Sequence, residues 1–197
     1  MQHLRLIADD LTGALDTAAQ FTARMGPLLV YWPGRIPDHF SPSAAIDSGT
    51  REEGEAVAAL ATARLAPLLA PAPDTISYVK LDSQLRGHQS VAVAAVIQAL
   101  APSCCIIAPA FPFQRRITRG GLQYVQGLAG WVPVGENLSA ALAARGIAVS
   151  LARPGDPVPE GVSLWDAETE ADMECIAASG LALGQPLLWC GSAGLAG

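Results

Sequence analysis

Leu4–Ala14 reads LRLIADDLTGA, and its layout decides the fold. A run of β-forming residues, Leu4–Ala8, meets two adjacent acids, Asp9 and Asp10, and passes straight into a helical pattern over Thr12–Arg24. Leu11, Leu15, Ala18, Ala19 and Thr22 fall on one face of that helix. The same order recurs along the chain. Strands are predicted at Leu28–Trp32, Ala44–Asp47, Ile76–Lys80, Cys104–Ala108, Ile147–Leu151, Val162–Trp165 and Leu187–Cys190. Helices are predicted at Glu52–Leu65, Ser90–Leu100, Asn137–Arg145 and Glu170–Ser179, the first opening on Glu52, Glu53 and Glu55, which suit the positive end of a helix dipole. Pro71–Pro73 and Pro154–Gly161 read as loops. Such alternation predicts an α/β fold, a single domain whose mainly parallel sheet is flanked by helices in three layers.

Composition narrows the class. The 197 residues suffice for one large domain or one plus a fragment. Hydrophobic residues make up 51% and charged ones 15%, which excludes disorder. No run of about 18 uncharged apolar residues occurs, so no membrane span is expected. The net charge of −6 repels polyphosphate and argues against nucleic acid or anionic membrane as partner. Cys104, Cys105, Cys175 and Cys190 form no CxxC pair and read as buried, reduced thiols rather than a zinc site or a disulfide framework. The opening MQHLRLIADD lacks a signal core, so a cytoplasmic protein is expected. Eleven of the twelve basic residues are arginine, and only Lys80 is lysine. The plain reason is codon composition, but the two cations are not interchangeable at a site.

Polar residues gather after the strands. Asp9 and Asp10 follow the first strand, and Asp47 closes the third. Lys80 and Asp82 close the fourth, and Gly191-Ser192 follows the last. Open parallel sheets bind ligands beyond the carboxyl ends of their strands, so these groups should converge on one edge. One of Asp9 and Asp10 can cap the following helix, leaving the other to accept a substrate hydroxyl. Lys80 and Asp82 alternate with Leu81 and so point the same way from an extended backbone. Ser83 adds a hydroxyl and Arg86 a bidentate clamp for a carboxylate or phosphate. A turn shaped by a Lys80–Asp82 salt bridge is the plainer alternative. His88 reads as a helix entrance. Ala108–Gly121 (APAFPFQRRITRGG) is the one basic patch, suited to an acidic substrate or to nucleotide phosphates; ordinary surface arginines are its plainer reading. Gly191–Gly197 turns from a strand toward a helix, a layout that cradles anions, but it lacks the P-loop lysine and a full GxGxxG.

Taken together, DDLTGA, KxDSxLRG, APAFPxQxR…GG and GSAGL resemble the four-carbon acid sugar kinase family. Asp47 and Arg51, in IDSGTRE, resemble its D-x-x-T-R element. The resemblance implies the N-terminal sugar-acid-binding domain, here residues 1–197, of a two-domain kinase whose C-terminal half carries most of the ATP and magnesium site. It implies phosphorylation of the terminal hydroxyl of threonate, erythronate or an oxo-tetronate, and little turnover of ATP by these residues alone. It implies Asp10 and Asp82 as the catalytic residues, one or the other being the base that orients the attacking hydroxyl, and Asp9, Asp47, Arg51, Lys80, Ser83, Arg86 and Arg119 around the substrate. Gly191, Ser192 and Gly194 stand as cofactor-binding residues; no metal ligand is assigned, and a homo-oligomer is a further expectation. The sequence departs from the family at Arg115, where glycine is usual, at His88, where asparagine is common, and after Gly127. Two rival functions remain. One is a non-catalytic sugar-acid-binding module. The other is a magnesium-dependent phosphatase, which needs D-x-D spacing where this chain has adjacent aspartates.

Overall fold

In the computed structural model, which describes residues 2–36 and 41–197, eight strands form one parallel sheet. In chain order they are β1 (His3–Ala8), β2 (Leu29–Tyr31), β3 (Ala44–Asp47), β4 (Thr75–Lys80), β5 (Cys104–Ala108), β9 (Val149–Ala152), β10 (Gly161–Trp165) and β11 (Leu188–Gly191). Their order across the sheet is β2-β3-β1-β4-β11-β5-β10-β9, and every pairing is parallel. The helices are α1 (Leu11–Met25), α2 (Glu55–Leu65), α3 (Gln89–Leu100), α4 (Leu138–Ala143), α5 (Glu170–Ala182) and α6 (Ala193–Ala196).

The alternation of side chains along each strand makes the layers. Leu4, Leu6 and Ala8 of β1 pack with Ala14, Ala18 and Phe21 of α1 and with Met173 and Ile176 of α5. Ile7 and Val79 point the other way, to Val93, Val96 and Ile97 of α3 and to Leu138 and Leu142 of α4. Covered on both faces, β5 can be apolar throughout, and all five of its residues are buried. This is the three-layer α/β architecture expected. Among the described residues no helix is long and apolar enough to cross a membrane.

Neighbouring strands β1 and β4 feed helices on opposite faces, α1 on one and α3 on the other. The loops leaving them diverge and open a crevice at the strand ends, the switch point where open α/β sheets bind ligands.

Three differences from the sequence reading have physical causes. Glu52 and Glu53 lie outside α2, which starts after Gly54 and keeps only Glu55 in its first turn. Ile147 belongs to the turn after α4, where its N–H donates to Leu142 O, so β9 begins two residues later than expected. The basic patch leads into strands that the sequence reading did not include. Arg116–Arg119 (β6), Leu122–Gly127 (β7) and Gly130–Pro133 (β8) form a small antiparallel sheet. Gly120 and Gly121, at φ of 59° and 74°, make the two-residue hairpin turn that needs positive φ at both positions. Asp166, at the end of β10, accepts from both of their N–H groups. Gln123, buried on β7, donates to Ser83 O and so ties the hairpin to the loop after β4.

Gly180 in α5 tests the packing of the first layer. A Cβ there would lie 2.3 Å from the Trp189 ring and 2.7 Å from Ile106. Alanine gains about 1 kcal/mol in helix propensity, whereas overpacking costs about 1–3 kcal/mol. Gly180→Ala should therefore lower the urea midpoint; an unchanged or higher midpoint would show that the Trp189 ring yields.

Candidate functional site

The crevice holds a cavity of about 110 Å³, whose wall includes Asp10, Lys80, Asp82, Ser83, Arg86 and Arg116. That is far below the ~300–1,000 Å³ of a drug-sized pocket, so it suits a small polar ligand rather than a nucleotide.

Each side chain has a local cause. Asp10 takes an extended backbone and caps α1, its Oδ1 accepting from Gly13 N at 2.8 Å. Its Oδ2 takes no hydrogen bond from the described residues, and the side chain is 32% exposed toward the cavity. Gly13 matters because a Cβ there would sit 2.5 Å from Asp10 Oδ1 and 3.3 Å from Lys80 Nζ. Asp9 turns inward instead. Arg51 donates to it from Nε and, at 2.6 Å, from Nη2. Gln89 Nε2 donates to its Oδ2 at 2.7 Å.

Arg51 reaches this point because the loop after β3 is stitched to the end of β1. Ser48 N donates to Ala8 O, and Thr50 N and Arg51 N both donate to Asp9 O. Asp47 accepts from Gly49 N and shapes that loop. Burial, reinforced by Asp10 and Asp9, pushes its carboxyl up despite the Gly49 bond and Arg51. Arg51 also pairs with Asp10 at 3.2 Å and with Asp82 at 3.2 Å. Burial opposes its charge, but the three aspartates outweigh it and hold the guanidinium firmly protonated.

Asp82 is saturated. Its Oδ1 accepts from Gln84 N, Arg86 N and Arg86 Nε, and its Oδ2 from Arg51 Nη1 and Arg86 Nη2. Burial raises its pKa, but the Arg86 side chain, the two backbone donors and Arg51 prevail and hold it down at about 2. Lys80 Nζ donates to Leu81 O at 2.7 Å, and no Lys80–Asp82 salt bridge forms. Burial lowers the Lys80 pKa, opposed by the field of Asp9, Asp82 and Asp10.

The structure thus brings Asp10, Arg51, Lys80, Asp82, Ser83 and Arg86 to one cavity and sets Asp9 and Asp47 behind them. It does not bring Arg119 there. That side chain lies on the far side of the hairpin in a bidentate pair with Glu168. Arg116 stands in the wall in its place, with Gln114 and Phe111. Residues three apart on a strand face opposite sides, a signal available only once Arg116–Arg119 is recognised as β6. Gln89 was also missed; it accepts from Asp82 N while donating to Asp9, and nothing local in the sequence marks it.

The Gly191–Gly194 turn is closely packed. Ser192 caps α6, accepting from Gly194 N and donating to Ala110 O. A Cβ on Gly194 would meet Ala110 O and the Phe111 ring, each at 2.9 Å, and one on Gly191 would meet Ala108 O at 2.9 Å. These glycines permit close packing, and only Ser192 and Ala193 reach the cavity. Among the described residues, no group of three or more His, Cys, Asp or Glu side chains is arranged to hold a metal ion.

Residues 4–153 match the family described as the sugar-binding N-terminal domain. The chain is 32% identical to the D-threonate kinase of Cupriavidus necator, over 97% of its own length and 52% of that protein. A domain of unknown function from Bordetella bronchiseptica, solved with bound citrate as a domain-swapped dimer, superposes with a TM-score of 0.75. It is 26% identical, over 98% of this chain and 54% of that one. A Haemophilus influenzae protein, at a TM-score of 0.70 and 20% identity over 97% of this chain and 54% of its own, shares the fold. The chain spans about half the length of the curated relative it matches.

The depressed Asp82 carboxyl gives a pH signature. A folded pKa of about 2 against 3.8 unfolded makes ionised Asp82 stabilising by about 2 kcal/mol. That contribution is fully present above the unfolded value and is lost as pH falls through about 2. Unfolding by urea should therefore show a steeper loss of stability between pH 5 and 2 in the wild type than in Asp82→Asn. Parallel slopes would mean that Asp82 is not held down.

Proposed function

The chain belongs to the four-carbon acid sugar kinase family as its sugar-binding N-terminal domain, and on that premise we propose that it binds and orients the acceptor, a four-carbon sugar acid of the threonate, erythronate or oxo-tetronate type. The observation that carries this reading is the small cavity itself, with carboxylate, hydroxyl, ammonium and guanidinium groups on one wall at the ends of adjacent strands. A sugar acid offers hydroxyls that donate to carboxylates and a carboxylate that accepts from cations. The citrate bound by the Bordetella relative is a carboxylate ligand too, which supports the reading.

Phosphoryl transfer depends on positioning and on a base that orients the attacking hydroxyl. Of the two aspartates expected to serve, Asp10 is the better base. Its Oδ2 is open to the cavity, whereas both oxygens of Asp82 are filled by donors and its pKa is held at about 2. Asp82 instead fixes Arg86 and Arg51. Ser83, also on the wall, is placed to meet a second hydroxyl. The role proposed for this chain is the acceptor's, and the phosphoryl donor of such a kinase, ATP with magnesium, is proposed to be held mainly by the other half of the longer protein. The longer protein is proposed to be a cytoplasmic two-domain kinase. Its assembly as a homo-oligomer is part of the same proposal, after the domain-swapped dimer of the Bordetella relative.

A thermal-shift series tests this. D-threonate, D-erythronate and a two-carbon acid are added to the chain with and without ATP. A ligand at 100 times its Kd stabilises by about 2.7 kcal/mol, so a clear rise in Tm is expected with a four-carbon acid. None is expected with ATP alone. Asp10→Asn should keep the acid-induced rise. A rise with ATP and none with any sugar acid would overturn the proposal.

A further inference from the structure

Four cations reach the cavity wall, and they differ in how far their donors are already committed. Arg51 is filled by Asp9, Asp10 and Asp82. Arg86 gives Nε and Nη2 to Asp82, forming a fork-to-fork pair that leaves its charge compensated. Lys80 lies in the combined field of Asp9, Asp82 and Asp10, so its charge is also answered from within the protein.

Arg116 is different. It forms no ion pair with any described carboxylate. Its Nη1 donates to the neutral Gln114 Oε1, and its Nε is buried with no partner. A buried donor without an acceptor is costly in a folded protein and marks a group that something else completes. The backbone that carries it is nonetheless firmly held. Arg116 N donates to Phe111 O and Phe111 N to Arg116 O, while Gln126 N holds the neighbouring Arg115 O.

We propose that Arg116 receives the substrate carboxylate and is the residue that makes this site choose acids over neutral polyols of the same size. The proposal rests on the sugar-acid reading above and differs from the expectation that Arg86 clamps the carboxylate. A carboxylate entering the cavity would give Nε the acceptor it lacks and would meet a guanidinium not neutralised by an aspartate. The planar fork of arginine matches two carboxylate oxygens, which an ammonium cannot do. The hydroxyl end of the ligand is then left for Ser83 and the open oxygen of Asp10.

The test is a pair of ligands that differ only in charge, D-threonate and the neutral polyol D-threitol. Affinity for each is measured by calorimetry, directly or by competition, on the wild type, Arg116→Gln, Arg116→Lys and Arg86→Gln. The wild type should prefer the acid. Arg116→Gln should weaken threonate about 10- to 100-fold, as for loss of a charged hydrogen-bonded contact, and leave threitol within threefold. Arg116→Lys, which keeps the charge without the fork, should fall between. Arg86→Gln, which uncovers Asp82, should lower the ratio of the two affinities less than Arg116→Gln does. If Arg116→Gln and Arg116→Lys both bind threonate as the wild type does, or if Arg86→Gln alone abolishes the preference, Arg116 is not the receptor. If the wild type binds no sugar acid, the reading of the site fails and this proposal with it.

Discussion

Arg51 faces three aspartates from the ends of two neighbouring strands. It takes Asp9 through two of its nitrogens, touches Asp10 at 3.2 Å and closes on Asp82 at 3.2 Å. Without it, the carboxylates that end β1 and follow β4 would repel one another in a half-buried crevice where water screens little. With it, the two loops are held at one distance, and everything else on the cavity wall is placed relative to them. Gln89 crosses the same gap, bonded to Asp9, to Asp82 N and to Arg86 O.

This arrangement separates the roles of like groups. Asp9 is structural because it faces Arg51 and Gln89. Asp82 is locked because five donors converge on it. Asp10 is left with an open oxygen because its other one caps α1. The same division runs through the cations, where Arg51 and Arg86 answer aspartates and Arg116 answers none. The chemical asymmetry of the cavity therefore comes from the partners that the fold supplies, since the residue types alone repeat.

Much of this was legible in the sequence. Apolar runs alternating with helical patterns gave the parallel sheet, and acids placed just after those runs gave the edge that carries the site. The hairpin at Arg116–Pro133 was not read, because its strands are short, mixed in polarity and set within a βα alternation. The Gly120-Gly121 pair was its one clear turn signal. The choice between Asp9 and Asp10 as the cap was equally out of reach. It depends on Arg51, 42 positions from Asp9, and nothing nearby distinguishes two adjacent carboxylates. Arg119 was chosen over Arg116 for want of the strand that points them to opposite sides.

The most direct test of the account is the unfolding free energy of Arg51→Leu beside the double variant Asp9→Asn/Arg51→Leu, at neutral pH. Removing one partner of a buried ion pair costs about 3–5 kcal/mol, whereas removing both costs much less. The account predicts a loss of that size for Arg51→Leu and a substantial recovery in the double variant. A loss below about 1 kcal/mol for Arg51→Leu, with no recovery on changing Asp9, would contradict the view that this guanidinium holds the site together.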